Sequence, residues 1–297
     1  MQEDRLLKVV DKEKHIRIFL ATTQNLVEEV RTRHNTSATA SAALGRVLTA
    51  ALLMGSDMKG EKDALTLRIN GNGLAGTILA TADSKGHVRG FISNPSADLP
   101  SKSPGKLAVG ELVGKDGNLE VIKDLGLKQP FIGTVALENG EIAEDLTRYF
   151  MDSEQIPSLV SLGVLVAPDL TIQAAGGLIV QALPGADDHV LEILENNIFQ
   201  MGSISNMMES VICLEDVVKR IMEGLDYSII GEENLSFQCI CSQERLGGIL
   251  AGLSQEELDE TYSEQDEIEV TCNFCNEVYH IHRANIEEIR RKNTIKP

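Results

Sequence analysis

The chain has 297 residues, of which 42% are hydrophobic and 24% are charged, and its formal net charge is −18. This length exceeds that of one typical domain, so the sequence predicts two or three folded units. The acidic balance argues against broad binding of nucleic acid or of an anionic membrane surface, because both depend on lysine and arginine.

The first residues lack the basic start and the apolar core of a signal peptide, and no uninterrupted run of about 18 apolar residues occurs. We therefore expect a cytoplasmic protein with no membrane span. Thiols stay reduced in the cytosol, where clustered cysteines are more often metal ligands or redox groups than structural disulfides.

Residues 1–183 combine strand and helix patterns without regular alternation. Strands are predicted over 5–10, 15–21, 64–70, 76–83, 87–93, 118–124 and 130–137, and two further apolar segments cover 158–167 and 170–183. Helices are predicted over 22–33, 35–55 and about 141–152. This grouping predicts an α+β core domain rather than a doubly wound sheet.

The segment GNGLAG at 71–76 matches the glycine pattern of dinucleotide-binding loops. That pattern also requires a helix that opens at the glycines, since the phosphates bind the amides of the helix N-terminus. The residues that follow are typical of a strand and a turn, so we interpret the segment as a glycine-rich hairpin connection.

The turn LPGADD at 183–188 marks a boundary, and 187–225 shows apolar residues at helical spacing. We predict a helical linker over 184–231. Half of the eight methionines lie here: Met201, Met207, Met208 and Met222. Methionine suits surfaces that accept varied apolar partners, although packing in a helix core is the simpler role of each one. Cys213, in the same stretch, is expected to be a small buried hydrophobe.

Residues 232–297 hold four of the five cysteines, as a CxC pair and a CxxC pair separated by 30 residues. The four are Cys239, Cys241, Cys272 and Cys275. Four thiolates can complete a tetrahedral shell around Zn²⁺, and two short paired loops are a common way to supply them. The spacing predicts one zinc ion per chain, and an iron–sulfur cluster stays open as an alternative.

His280 and His282 lie close enough in sequence to be rival ligands, and on a strand they would point to the same side. Because four cysteines already complete the shell, we expect both histidines to have a surface role.

The zinc unit is small, and its middle, 254–269, is mostly acidic and polar, so it can bury little core. Structural zinc contributes on the order of 10–16 kcal/mol, and its removal should unfold the unit. Zinc-bound sulfur is already thiolate, the form that oxidants attack. The pattern therefore indicates a device that unfolds on oxidation.

With these features, the chain resembles the redox-regulated 33-kilodalton heat-shock chaperone family of bacteria. The resemblance rests on the CxC and CxxC pairs at the C-terminus, after a methionine-containing helical linker and a larger α+β domain. It implies a cytoplasmic, ATP-independent holdase that is not an enzyme and is inactive when reduced with zinc on the four cysteines.

The resemblance further implies that oxidation forms the disulfides Cys239–Cys241 and Cys272–Cys275, releases zinc and unfolds the linker. The exposed surface would then bind unfolding client proteins, with a homodimer as the active form. Within-pair disulfides also follow from the chain, because one or two intervening residues keep the partners close even after unfolding.

Two other classes remain open. A permanent zinc-ribbon interaction module would keep its metal and would usually offer basic residues to nucleic acid, which the acidic 254–269 opposes. A thiol–disulfide oxidoreductase would keep an exposed CxxC of low pKa and bind no metal.

Overall fold

Strand-forming segments of the first 238 residues build two sheets, as seen in a computed structural model that describes residues 3–103, 105–202, 204, 213–263 and 265–294. The chain divides into two compact units, one up to Gln238 and one from Cys239 onward. Among the residues described, the fold class is α+β, as predicted.

The larger unit contains a five-stranded antiparallel sheet in the order β10-β1-β2-β9-β8. Its second sheet has six strands in the order β11-β5-β4-β3-β6-β7 and is antiparallel except for the β11–β5 pair. The strands are β1 (Arg5–Asp11), β2 (Ile16–Thr22), β3 (Ala64–Asn70), β4 (Ile78–Asp83), β5 (His87–Ile92), β6 (Asn118–Asp124), β7 (Phe131–Ala136), β8 (Ser158–Val166), β9 (Ile172–Ala182), β10 (Tyr227–Asn234) and β11 (Ser236–Phe237).

The helices of this unit lie between and around the sheets. They are α1 (Gln24–His34), α2 (Ala38–Gly55), α3 (Val109–Val113), α4 (Ala143–Tyr149) with a π-helical turn (Phe150–Glu154), α5 (Asp188–Met201) and α6 (Leu214–Ile221). These bounds confirm the helices predicted around 22–33, 35–55 and 141–152. Within 187–225, helices are present over 188–201 and 214–221, as predicted, 222–225 form a turn instead, and Met207 and Met208 lie outside the described residues.

Helix α2 is the centre of the larger core and touches strands of both sheets. Ser37 caps its start by accepting a 3.1 Å hydrogen bond from the amide of Ala40, and its alanine-rich sequence favours a helix. Gly45 permits close packing, because a Cβ there would lie only 2.8 Å from a methyl group of Val27. By length and composition alone, this helix could cross a membrane. Most of it is buried inside this unit, as in a core helix.

A second core lies between the five-stranded sheet and helices α5 and α6. Strand β2 is buried on both faces: Phe19 and Ala21 belong to the core around α2, and Ile18 and Leu20 belong to the second core. The helices contribute buried side chains at helical spacing, namely Leu194, Leu214, Val217, Val218 and Ile221, with Met222 just after α6. The predicted linker therefore covers one face of the sheet.

Two features of 213–237 differ from the expectations. Strand β10 was not predicted, because most of its side chains are exposed and show no clean alternation; it belongs to the sheet through pairing with β1. Cys213 is not a buried hydrophobe, since it lies only half-buried and extended just before α6, where its Sγ donates a 3.2 Å hydrogen bond to Asp216.

The segment GNGLAG connects β3 and β4 and is followed by an antiparallel strand rather than by a helix. The amides of Gly73 and Ala75 donate hydrogen bonds of 3.0 and 2.9 Å to the carbonyls of Val113 and Leu112 at the end of α3. A Cβ at Gly73 would lie 2.4 Å from the Leu112 carbonyl oxygen. The glycine therefore serves close backbone packing.

The smaller unit consists of α7 (Gln243–Leu250), α8 (Gln255–Thr261), the hairpin β12 (Glu267–Thr271) and β13 (Val278–His282), and α9 (Arg283–Thr294). Its core is small: the buried cluster has four members, Leu258, Tyr262, Ile281 and Ile286. A core of this size provides limited hydrophobic stabilisation for a unit of this length.

Candidate metal centre

The CxxC pair lies in the turn of the β12–β13 hairpin. The amide of Cys272 donates to the Glu277 carbonyl at 2.9 Å, and the amide of Asn276 donates to the Cys272 carbonyl at 2.8 Å. Asn276 adopts a left-handed conformation with φ of 59°, which asparagine tolerates better than most residues. This tight turn brings Cys272 and Cys275, both buried, to one side of the loop.

The CxC pair lies just before helix α7. Ser242 ends the extended segment and caps the helix, its Oγ accepting a 3.1 Å hydrogen bond from the amide of Arg245. Cys239 and Cys241 are half-buried. The capped start of helix α7 therefore sets the point at which the extended CxC segment ends.

The structure brings the four sulfur atoms together, all within 4.8 Å of one another. The Sγ atoms of Cys239 and Cys272 are 3.7 Å apart, and those of Cys241 and Cys275 are 3.3 Å apart. Sulfurs on one tetrahedral zinc ion, with Zn–S bonds of about 2.3 Å, would lie about 3.8 Å apart. The sulfur cluster therefore fits one metal ion with little adjustment.

The thiols of the cluster differ in their titration without a metal ion. Burial raises the pKa of Cys239 and of Cys275, and hydrogen bonds donated to neighbouring sulfurs add to this for Cys275. Burial also opposes ionisation of Cys241, but hydrogen bonds from Tyr279 and the other thiols outweigh it and lower its pKa to about 7. Negative charge thus concentrates on Cys241, and a divalent cation would allow all four sulfurs to ionise.

Tyr279 is a functional residue that the sequence analysis missed. Its hydroxyl lies 3.1 Å from the Sγ of Cys241, and the pKa of Tyr279 is raised mainly because it donates this bond. Alternation along β13 already placed Tyr279 on the face opposite to His280 and His282. No pattern in the sequence indicates that Cys241, 38 residues away, contacts it there.

His280 and His282 lie apart from the sulfur cluster. Both are exposed side chains of β13 that contact Glu267 on the neighbouring strand. Among the described residues, the group of donors close enough to share an ion consists of the four cysteines alone. Cys213 belongs to the larger unit and takes no part in the cluster.

Comparison with known proteins decides the family. The model of the Hsp33 protein family matches residues 4–282. The chain belongs to the Hsp33 family. The 33 kDa chaperonin of Desulforamulus reducens is 47% identical over 290 residues, 98% of each protein, and that of Clostridium botulinum strain 657 is 44% identical over 97% of each.

The Hsp33 fold is shared as well. The crystal structure of the 33 kDa chaperonin (heat shock protein 33 homolog) from Thermotoga maritima matches with a TM-score of 0.89 and 35% sequence identity, covering 99% of both chains. The family resemblance stated from the cysteine spacing is therefore confirmed, and the sulfur cluster is that of an Hsp33 protein.

Replacement of Tyr279 by phenylalanine should weaken metal binding by about 10–100-fold, because a hydrogen bond to a ligand atom holds that ligand in place and favours its charged form. The measurement is competition for Zn²⁺ between the reduced full chain and a chromogenic chelator. Tyr262→Phe is the matched control: its hydroxyl donates to the Ile281 carbonyl at 3.1 Å, away from the sulfurs. Equal losses in the two variants would contradict a specific role of Tyr279.

Proposed function

We propose that this chain is a redox-regulated, ATP-independent holdase and not an enzyme. The reduced form holds one zinc ion and is inactive; oxidation forms disulfides, releases zinc and exposes apolar surface that binds unfolding proteins. The proposal is supported above all by four cysteine sulfurs clustered within 4.8 Å in a separate small unit of an Hsp33-family chain. Its relatives bear the name 33 kDa chaperonin.

Cys239, Cys241, Cys272 and Cys275 would hold the zinc ion. When bound, zinc would keep the four sulfurs as thiolates and link the CxC segment to the hairpin turn. A unit whose buried core has four side chains gains most of its folding free energy from such a link, on the order of 10 kcal/mol. Loss of the metal should therefore unfold the unit.

Oxidation removes two electrons from each cysteine pair. One hydrogen peroxide molecule per pair accepts them, takes up two protons from solvent because the sulfurs start as thiolates, and leaves as two water molecules, while one S–S bond forms. Each disulfide replaces two thiolate ligands with sulfur that is a poor ligand for zinc. After both pairs have reacted, the small unit has lost the cross-link that supported its fold.

The surface for client proteins would come from the second core of the larger unit. Helix α6 has eight residues, too few for stability in water without packing. It is attached to the sheet through apolar side chains such as Val217 and Ile221 and through an ion pair of Glu215 with Arg5 of β1 at 3.1 Å. Release of α5 and α6 would expose both sides of this core.

The remaining elements of the proposal follow from family membership. The partners are unfolding client proteins, the active form is a homodimer, and the protein acts in the cytoplasm without nucleic acid or membrane. The three-part organisation, with a core domain at 1–183, a linker at 184–231 and a zinc domain at 232–297, belongs to the proposal too.

Oxidation of the reduced, zinc-bound full chain with hydrogen peroxide should release one zinc ion per chain, measured with a chromogenic chelator. The oxidised protein should then suppress light scattering by a thermally unfolding enzyme without ATP, whereas the reduced protein should not. Cys272→Ser should fail to hold a full equivalent of zinc. Cys213→Ser is the matched control and should behave like the unmodified chain.

Other outcomes of this experiment identify the alternatives. Zinc retained after oxidation, with no gain in anti-aggregation activity, would indicate a permanent zinc-ribbon module. A reduced protein that binds no zinc and exchanges disulfides with a substrate would indicate an oxidoreductase.

Peptide mapping of the oxidised chain should find Cys239 joined to Cys241 and Cys272 joined to Cys275. Partners separated by one or two residues stay close after the unit opens, because closing a short loop costs little chain entropy. The folded cluster offers competing pairs, since the Cys239–Cys272 and Cys241–Cys275 sulfurs are already within 3.7 Å. If Cys239–Cys272 and Cys241–Cys275 disulfides were the main product, oxidation would be faster than unfolding of the small unit.

Hydrogen exchange should detect release of the covering helices. After oxidation, protection should fall over α5, α6 and the residues from Cys239 onward, while β2 and β9 keep theirs, because the core around α2 does not depend on the helices. Samples of the reduced chain and of oxidised Cys213→Ser provide the reference states. If protection falls only from Cys239 onward, α5 and α6 are a passive spacer and clients bind elsewhere.

A further inference from the structure

Helix α7, which follows the CxC pair, lies against the segment that follows the CxxC pair. At the start of α7, the Nε2 of Gln243 donates a 2.9 Å hydrogen bond to the carbonyl of His280 on β13. In the middle, Gly247 permits close packing on α9, since a Cβ there would lie 2.9 Å from a methyl group of Ile289. The start and the middle of α7 are therefore attached to the hairpin and to the helix that continues it.

Arg290 of α9 is attached to the end of the same helix. Its Nε donates to the carbonyl of Ala251 at 3.0 Å, and its Nη2 donates to the carbonyl of Leu253. Its Nη1 donates to Oε1 of Gln255, the first residue of α8, at 2.9 Å. A planar guanidinium presents several donors in a fixed arrangement, and its charge suits the carbonyl end of a helix. This half-buried side chain thus joins the corner between α7 and α8 to α9.

These contacts connect the two cysteine pairs through the protein itself. Helix α7 begins two residues after Cys241, and α9 begins directly after β13, whose hairpin turn carries Cys272 and Cys275. A connection of this kind stabilises the folded form of the unit, which is the form that would bind zinc. Because metal binding and folding are coupled, it adds to the apparent affinity for zinc.

We propose that Arg290 is a positioning residue of the zinc centre, which holds α7, and with it the CxC segment, against the hairpin that carries the CxxC pair. Gln243 supports the same arrangement from the other end of α7. The inference rests on the proposed function, since it concerns the zinc site of the switch. Arg290 thereby sets how readily zinc leaves the reduced protein.

Competition for Zn²⁺ between the reduced full chain and a chromogenic chelator tests the inference. Arg290→Gln should weaken zinc binding about tenfold, because hydrogen bonds from a charged donor are lost. Arg290→Lys should recover part of this loss, since an ammonium group can still donate to the carbonyls at the end of α7. Arg291→Gln is the matched control and should bind zinc like the unmodified chain: it removes the same charge from α9, but the Nε of Arg291 donates to the Glu287 carbonyl of its own helix at 3.4 Å.

Hydrogen exchange of the zinc-bound variants separates positioning of α7 from a general loss of stability. In Arg290→Gln, protection should fall over α7 while the β12–β13 hairpin keeps its protection. Gln243→Ala should cause a smaller change in the same helix and a smaller loss of zinc affinity. This variant keeps the test decisive if Arg290→Gln binds no zinc.

Three results would overturn the inference alone. They are equal zinc affinities of Arg290→Gln and Arg291→Gln, no recovery in Arg290→Lys, and an equal loss of protection over α7 and the hairpin. An unmodified chain that binds no zinc would overturn the proposed function and this inference together.

Discussion

Four thiols held within 4.8 Å of one another are the constraint on which the smaller unit depends. Burial in this cluster raises the pKa of Cys239 and of Cys275, whereas hydrogen bonds from Tyr279 and the other thiols lower that of Cys241. A divalent cation would favour the thiolate form of all four and would join two segments that are 30 residues apart in sequence. Since the apolar core of the unit is small, metal binding and folding should form one equilibrium. Sensitivity to oxidants follows from the same chemistry.

The larger unit contains two cores that share strand β2. Strand β2 supplies Phe19 to the core around α2 and Leu20 to the core under α5 and α6. The first core is closed by a long central helix and by both sheets, whereas the second is closed by two helices of limited length. Each buried aliphatic side chain contributes about 1.5–3 kcal/mol relative to exposure. Burial of these side chains therefore accounts for most of the attachment of the covering helices to the sheet.

Much of this organisation could be predicted from the sequence, and the exceptions have physical reasons. Helix α2 has a capping serine and an alanine-rich apolar sequence, so its local signal agrees with its tertiary role. The CxC and CxxC pairs predicted the sulfur cluster, because the spacing of two ligands on one short segment can be read directly from the sequence. Strand β10 was missed, since exposed residues such as Ile229 and Ile230 give no alternation and only pairing with β1 defines it.

The same reasoning explains why the sequence did not place Cys213 and Tyr279 correctly. Cys213 occupies a helical spacing, yet it precedes α6 as an extended capping residue, and periodicity cannot locate a boundary to within one residue. The contact of Tyr279 with Cys241 joins residues 38 positions apart. Its face on β13 was predictable, but its partner depends on how the CxC segment folds back.

In the proposed mechanism, unfolding of the cysteine unit would reach the covering helices through strand β10. This strand lies between α6 and Cys239, pairs with β1 at the edge of the sheet, and contributes no side chain to either large core. Its attachment is therefore mainly a ladder of backbone hydrogen bonds, with added ion pairs such as Lys8 with Glu233 at 2.6 Å. Each such bond contributes about 0.5–1.5 kcal/mol, since water replaces it on detachment. An edge strand of this kind can leave β1 without opening the core around α2, and once it leaves, the chain no longer fixes the end of α6. Leu235 and β11 follow β10 in the chain, so Leu235 would have to leave the core around α2, and β11 would have to leave β5, before the ladder could open from the cysteine side. Loss of these contacts is thus the step that would pass unfolding from the cysteine unit to the helices.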